Sequence, residues 1–335
     1  MTRIAINGLG RIGKLVLRDL IDHGSNGDIV LINEPNADAE QLATLIEFDS
    51  VHGRWGGDFF WADGSLTLKG QKINVTHEKN INLLSLKEND IDLVVDCTGQ
   101  FKTGPKIAPY FSAGVKKVII SAPVKDKDAL NLVYGINHDL YDGSQNLITA
   151  ASCTTNCLAP IVKVIHENLG IKHGSITTIH DVTNTQTIVD RPSKDMRRAR
   201  SALNNLIPTT TGSAKAITMI YPELKGKLNG HAVRVPLLNA SLTDCVFEVE
   251  RATSEQEVNS LFEEASNKSL KGILGFERRP LVSSDYTNDP RSSIVDGLST
   301  MVVNKTQVKV YAWYDNEWGY SCRLGDITRM VAGSL

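Results

Sequence analysis

Cys153 stands in the run Ser152-Cys153-Thr154-Thr155-Asn156-Cys157, where a short apolar strand pattern gives way to a helical one. A thiol in the first turn of a helix lies among unpaired N–H groups at the positive end of the helix dipole. That placement favours thiolate, the nucleophilic form. His180 closes the β-rich run Ile176-Thr177-Thr178-Ile179-His180. An imidazole beside such a sulfur would hold it ionised and exchange protons with a substrate during reaction. Taken singly, Cys153 reads as a buried structural thiol and His180 as a strand-end histidine bonded to backbone. Their chemical reading depends on the other motifs of the chain.

The second motif is Gly8-Leu9-Gly10-Arg11-Ile12-Gly13, a G-x-G-x-x-G that follows a strand pattern and opens a helix, with Glu34 at the end of the next strand. The acid falls roughly 20 residues beyond the last glycine, as a dinucleotide fingerprint requires. Gly8 permits a tight turn, Gly10 lets a pyrophosphate approach the backbone, and Gly13 lets helix and strand pack closely. N–H groups of the helix start, from Arg11 and Ile12 onward, would meet the phosphates. Glu34 can accept hydrogen bonds from a ribose diol and would repel a 2′-phosphate, so NAD is expected over NADP. A Gly-rich turn without a ligand is the plainer reading; strand, helix and acid together favour the nucleotide. Thr98 and Gly99, after a strand, and Ser121, at the end of another, fall where a nucleotide lies along the carboxyl edge of such a sheet.

The elements that must position these groups follow from periodicity. Residues 3–7, 28–33, 92–96 and 117–121 are short, nearly continuous apolar runs, as in strands buried on both faces. A helical pattern at 10–23 places Ile12, Leu15, Val16 and Leu20 on one face. Residues 58–75 read as a small antiparallel excursion, and 146–150 close the first unit. SCTTNC then opens a helix to about residue 168. Longer alternating runs at 175–182, 231–236, 241–250 and 307–314 predict an antiparallel sheet with one face covered. A helix is expected at 253–265 with Thr253 as N-cap, and a last one at about 316–330. The fold class is therefore α/β: a doubly wound parallel (Rossmann) sheet plus an α+β catalytic domain with a mainly antiparallel sheet. The boundaries are 1–151 for the NAD-binding domain, completed by the C-terminal helix 316–335, and 152–315 for the catalytic domain.

Composition narrows the function classes. At roughly 150 residues per domain, 335 residues fit about two domains. Apolar residues make up 41%, charged residues 22%, and mean hydropathy is -0.15, which argues against wholesale disorder. Lys+Arg 36 against Asp+Glu 38 leaves a formal charge of -2, so a dedicated nucleic-acid binder is disfavoured. No apolar run approaches the roughly 18 residues of a membrane span, and the N-terminus enters a strand without a signal-peptide pattern. Five cysteines without framework spacing suit a reducing compartment, and the expected location is cytoplasmic. The eight histidines form no H-x-x-x-H, so no metal is expected.

NGLGRIG, ASCTTNCLAP, TTIH, PTTTGSAKA, HAVRVP and YDNEWGY, in this order, resemble the phosphorylating glyceraldehyde-3-phosphate dehydrogenase family over nearly the whole chain. The resemblance implies that Cys153 attacks an aldehyde to form a hemithioacetal. Hydride passes to NAD, and phosphate releases the resulting thioester as an acyl phosphate. It makes His180 the acid/base, with the Cys153 N–H and His180 stabilising the oxyanion. It assigns Thr183 and Arg234 to the substrate phosphate, and Ser152, Thr154, Thr211, Gly212 and Arg198 to the attacking phosphate. Alone, the Arg197–Arg200 cluster would read as a solvated face and Thr211 as part of a helix N-cap. Asn316 and Tyr320 resemble the residues that hold the nicotinamide carboxamide and ring face; a helix N-cap is the plainer role for Asn316. The family also implies a homotetramer in which the loop around 180–205 reaches a neighbouring subunit.

The chain departs from the family pattern at Glu34, where Asp is usual, at Thr185, where Asp is common, and at Arg191, where leucine is usual. An aromatic residue that usually follows 78–84 is missing. INEPNAD, FDSVHGRW and TNTQTIVDRPSKD resemble the subgroup accompanying arsenic-resistance transporters. There arsenate replaces phosphate as acyl acceptor and the product is 1-arseno-3-phosphoglycerate. The related erythrose-4-phosphate dehydrogenases lack the intact TTTG segment present here. A non-catalytic NAD-binding redox sensor is a further class, since Cys157 lies one helical turn beyond Cys153. The survival of both catalytic residues and both anion sites disfavours it.

Overall fold

Nearly unbroken apolar runs become the central strands of a first sheet. The computed structural model describes residues 1–62, 64–124 and 126–335. One unit comprises Met1–Ser152 with Ser321–Leu335, and the other Cys153–Tyr320. The first contains β1 (Thr2–Asn7), α1 (Arg11–His23), β2 (Gly27–Asn33), α2 (Ala39–Glu47), β3 (Phe59–Ala62), β4 (Ser65–Leu68), β5 (Gln71–Thr76), β6 (Leu93–Asp96), α3 (Gly104–Ser112), β7 (Lys117–Ile120), β8 (Ala129–Asn131) and β9 (Leu147–Thr149). Among the described residues these strands form one nine-stranded sheet in the order β3-β4-β5-β2-β1-β6-β7-β9-β8. Pairing is parallel from β5 through to β8. The predicted antiparallel excursion is the β3-β4-β5 edge.

Every residue of β6 and β7 is buried, which is why these strands read as unpatterned apolar runs. Ala5, Leu31, Val94, Val118 and Ile120 pack with Ile107 and Tyr110 of α3 on one face. Leu15, Val16 and Leu20 of α1 are buried as their spacing implied, whereas Ile12, at the helix start, is only half-buried.

The second unit contains α4 (Cys153–Leu169), β10 (Ile171–His180), β11 (Ile207–Thr210), α5 (Ser213–Ile220), β12 (Leu228–Arg234), β13 (Ser241–Val249), α6 (Glu255–Asn267), β14 (Leu274–Glu277), β15 (Ser293–Asp296), β16 (Met301–Val303) and β17 (Gln307–Tyr314). Its sheet runs β11-β12-β10-β13-β17-β15-β14, with β16 on β17. It is mainly antiparallel; β10–β12 and β14–β15 are parallel. Burial alternates strictly along β13, the signature of a sheet covered on one face. The register sets His180 beside Arg234 and Ser241 opposite Tyr314. These four side chains therefore start from neighbouring strand ends.

The last helix, α7 (Trp318–Ala332), begins two residues later than its pattern suggested. Asp315 caps it, accepting the N–H groups of Glu317 (2.9 Å) and Trp318 (2.7 Å). Its later residues belong to the first unit, where Arg329 pairs with Asp19 at 2.8 Å and the carbonyl of Ala332 accepts from Thr2. Ser254, not Thr253, is the N-cap of α6: its hydroxyl accepts the N–H of Glu257. Thr253 instead donates to the Glu257 carboxylate at 2.7 Å, an arrangement that adjacent Thr and Ser left open.

Candidate active site

Cys153 is the first residue of α4 and is half-buried. Ala151, two residues before Cys153, adopts φ +52, a left-handed turn uncommon for alanine. Sγ of Cys153 lies 3.6 Å from Nε2 of His180. The His180 ring is buried, edge-on to Tyr314, with centroids 5.9 Å apart at 86°. Thr154 and Thr178 share the Tyr314 hydroxyl at 3.0 and 2.8 Å, so this phenol fixes both the helix start and β10.

The opposite ring nitrogen of His180 meets a residue the sequence reading passed over. Nδ1 lies 2.6 Å from Oδ1 of Asp181, whose side chain is wholly buried. Burial alone would depress the pKa of the imidazole; the Asp181 hydrogen bond and the Cys153 sulfur outweigh it and raise it to about 9. Asp181 is itself pushed up by burial and drawn back down by His180 and Asn316. Asn316 donates to Asp181 Oδ2 at 2.8 Å and accepts from Ser241 at 3.0 Å. The helix-cap role is thus taken by Asp315, and Asn316 turns toward the site. Its amide keeps one N–H and one lone pair for a ligand. Tyr320 is buried in the first turn of α7.

Arg234 comes from β12. Its Nη1 donates to the carbonyl of Asp181 (2.9 Å) and lies 2.5 Å from Nδ1 of His180. Its Nε is buried without a partner among the described residues, as is Nε2 of Gln186. Oε1 of Gln186 accepts from the Thr183 N–H (2.9 Å) and hydroxyl (3.1 Å). Two buried donors left over, one on a guanidinium, suit an anion's oxygens. Gln186 is the second residue that sequence reasoning missed; its only signal was proximity to Thr183.

The remaining anion-site candidates form a local cluster. Thr211 accepts the Ser213 N–H and bonds its hydroxyl at the start of α5, where Gly212 is the N-cap residue. Arg198 donates to Thr209 at 3.0 Å and pairs with Asp195 at 3.3 Å. Thr209 lies on β11, which pairs with β12, and the charge of Arg198 is felt at Arg234. Ser152 is half-buried just before α4.

Cys157 is buried between Thr243 and Ser293, 3.6 Å from each hydroxyl, and burial pushes its pKa up to about 12. Burial likewise raises Cys97, Cys245 and Cys322.

In the first unit the glycines show the geometry expected of a dinucleotide cradle. A Cβ on Gly13 would lie 1.9 Å from the carbonyl oxygen of Gly8, so only glycine lets α1 meet β1 there. Gly8 has φ +91, and its Cβ would press on the Thr98 backbone at 2.8 Å. A Cβ on Gly10 meets nothing within 4 Å, leaving its backbone open to a ligand. The Glu34 carboxylate accepts the N–H of Leu9 (3.0 Å) and of Asn36 (3.0 Å), so it lies directly against the glycine loop. The Arg11 guanidinium is held by Asp49.

A buried polar chain that the sequence did not disclose pins the carboxyl ends of the strands. Thr76 donates to Asn33, Asn33 to Asn7, Asn7 to Tyr110, and Tyr110 to Asp96. Asp96 also accepts the N–H and hydroxyl of Thr98. Gly99 follows with φ +68, and Ser121 comes directly after β7, its N–H on the Asp96 carbonyl. These residues fit a nucleotide along the sheet edge.

The fold and the thiol–imidazole pair define a class: a dinucleotide-binding protein equipped for covalent sulfur chemistry. Residues 2–104 match the family described as glyceraldehyde 3-phosphate dehydrogenase, NAD binding domain, and residues 152–316 match its C-terminal domain. Glyceraldehyde-3-phosphate dehydrogenase 3 of Nostoc sp. is 57% identical over 335 residues, covering 99% of each chain. Glyceraldehyde-3-phosphate dehydrogenase 2 of Bacillus subtilis is 45% identical, covering 99% of this chain and 97% of its own. The enzyme of Geobacillus stearothermophilus is 46% identical over 98% of each. The chain belongs to the glyceraldehyde 3-phosphate dehydrogenase family, and its cofactor is NAD.

Proposed function

We propose that the chain oxidises glyceraldehyde 3-phosphate with NAD and phosphate, giving 1,3-bisphosphoglycerate, with Cys153 as nucleophile and His180 as acid/base. The observation that carries this reading is the 3.6 Å approach of Nε2 of His180 to Sγ of Cys153 at the first turn of α4. Sγ adds to the aldehyde carbon, and the proton that the new alkoxide takes comes from Nε2. The neutral ring then accepts the hydroxyl proton back as the hemithioacetal is oxidised to the thioester. Bound NAD supplies the acceptor for the hydride. Phosphate attacks the thioester carbonyl, the C–S bond breaks, and the sulfur leaves as thiolate beside a protonated imidazole.

Thr183 and Arg234, with Gln186, receive the substrate phosphate; the two unpartnered donors support this. Ser152, Thr154, Thr211, Gly212 and Arg198 receive the attacking anion. Gly8, Gly10, Arg11, Ile12, Gly13, Glu34, Thr98, Gly99 and Ser121 hold the dinucleotide, and Asn316 and Tyr320 its nicotinamide. The division is a cofactor domain of residues 1–151 with the last helix and a catalytic domain of 152–315. The attacking anion is phosphate; arsenate, its near isostere, would be accepted by the same donors and give 1-arseno-3-phosphoglycerate. The protein acts in the cytoplasm as a homotetramer. Exposed Ile188, Val189, Leu203 and Leu206 supply apolar surface for a subunit contact. Among the described residues no helix is long and apolar enough to cross a membrane.

The test is NADH absorbance with glyceraldehyde 3-phosphate, NAD and phosphate. Turnover that depends on Cys153 is expected, and turnover undiminished in Cys153→Ser would defeat the reading. Arsenate in place of phosphate, and a tetrose phosphate in place of the triose, complete the comparison.

A further inference from the structure

We propose that Asp181 is a positioning residue of this site: a buried carboxylate that holds Nδ1–H of His180, fixes the ring's orientation and protonation, and ties it to Asn316. The proposal rests on the reading of Cys153 as nucleophile and His180 as its acid/base. The geometry is a continuous chain within one unit. Cys153 Sγ is 3.6 Å from His180 Nε2, His180 Nδ1 is 2.6 Å from Asp181 Oδ1, and Asp181 Oδ2 is 2.8 Å from Asn316 Nδ2. Ser241 completes it: its hydroxyl donates to Asn316 Oδ1 at 3.0 Å and lies 3.4 Å from Asp181 Oδ1.

The carboxylate has a specific task here. An imidazole has two nitrogens, and the one facing sulfur can carry a proton usefully only if the other has a matched partner. Arg234 on β12 approaches Nδ1 to 2.5 Å and, being cationic, opposes protonation of the ring. From α4 the Cys153 sulfur favours it, and from β17 Tyr314 presents a ring whose hydroxyl is occupied elsewhere. Glu317, preceding α7, adds negative charge near Asp181, and Arg198 acts on Arg234 from the β11 side. Without Asp181, Arg234 would be the dominant charge at Nδ1. Nδ1 would keep only the neutral Asp181 backbone carbonyl, 3.0 Å away, beside the Arg234 cation, which favours a neutral ring. With Asp181, Nδ1–H has an anionic acceptor and the ring can be doubly protonated beside a thiolate. The same carboxylate orients the Asn316 amide, so one residue sets the pose of both the proton donor and an amide assigned to the nicotinamide.

Asp181→Asn keeps the shape and removes the charge. In the full-length enzyme we expect the alkaline limb of kcat/KM to move down by about one pH unit or more, and the pH profile of Cys153 alkylation by iodoacetamide to differ from wild type. We expect kcat to fall about 10- to 100-fold with the aldehyde KM changed less than about 3-fold. A folded Asp181→Asn enzyme with wild-type pH profiles for both readouts would overturn the proposal while leaving the Cys153–His180 chemistry intact. Full turnover in His180→Gln would instead defeat that chemistry. Should Asp181→Asn fail to fold, nitrogen NMR of the His180 ring in the wild-type protein decides. A protonated Nδ1 that persists at about pH 8 supports the role; a ring with Nδ1 unprotonated there overturns it.

Discussion

Nε2 of His180 faces Sγ of Cys153 at 3.6 Å, from the end of β10 to the first residue of α4. The two residues are 27 positions apart in sequence and come from different elements. Tyr314, bonded to Thr154 on one element and Thr178 on the other, sets the gap between them. Cys153→Ser should abolish turnover, with a loss beyond about 10³-fold, because serine cannot ionise there to form or release a thioester. His180→Gln should cost about 10²- to 10⁴-fold in kcat, the range of a lost general acid/base. Steady-state NADH formation measures both. A loss below 10-fold in either variant would count against the assignment.

Stability should depend on pH through the same histidine. Its proton is held up to about 9 in the fold, against an ordinary value near 6.5. The folded state therefore binds the proton more tightly than the unfolded chain. The contribution is fully present below about pH 6.5 and drains away as pH rises through about 9. Urea titrations of wild type and His180→Gln at about pH 6 and about pH 10 should show a gap that narrows on the alkaline side. A gap that stays constant with pH would refute the pairing.

The two glycines of the loop should respond oppositely to a single methyl group. Gly13→Ala sets a Cβ 1.9 Å from the Gly8 carbonyl oxygen, and backbone cannot yield there without parting α1 from β1. The variant should lose about 2–4 kcal/mol or fail to fold. Gly10→Ala meets nothing within 4 Å. It should fold normally and lose only NAD affinity, as its methyl group takes the space a pyrophosphate needs. Thermal melts with and without NAD separate the outcomes. Unchanged NAD affinity in Gly10→Ala would move the phosphates elsewhere.

Arg234→Lys should raise KM for glyceraldehyde 3-phosphate about 10- to 100-fold, since an ammonium cannot reproduce the forked donors. Glyceraldehyde, which lacks the phosphate, should be far less affected. An equal loss on both substrates would show that Arg234 acts on His180 rather than on the phosphate.

Glu34→Ser should weaken NAD and relax the bias against NADP. The carboxylate accepts the Leu9 N–H at 3.0 Å and so stands at the loop where a ribose would lie. Removing it deletes the negative charge that would repel a 2′-phosphate. The ratio of kcat/KM for NAD over NADP should fall about 10-fold or more. A ratio left unchanged would shift cofactor discrimination to another residue.

What the chain alone disclosed follows from periodicity and local chemistry. Unpatterned apolar runs marked strands buried on both faces, such as β6 and β7, and strict alternation marked β13 and β17. The glycine loop, Glu34, Cys153 and His180 were legible because each sits at the junction of two such patterns. Short elements such as β8, β14 and β15 were not, since three or four residues carry no period. Ser254 displaced Thr253 as a cap because either hydroxyl satisfies the same rule.

Tertiary structure alone decided which polar groups share a buried space. Asp181, Gln186, Asn7, Asn33, Asp96 and Tyr110 look like ordinary loop or strand residues in one dimension. Gln186 finds Thr183 within its own loop, but Asp181 and Asn7 also reach across the fold, to Asn316 135 positions away and to Tyr110 103 positions away. Sequence patterns report which side of an element faces inward; only the folded register shows which inward-facing charge meets which ring nitrogen.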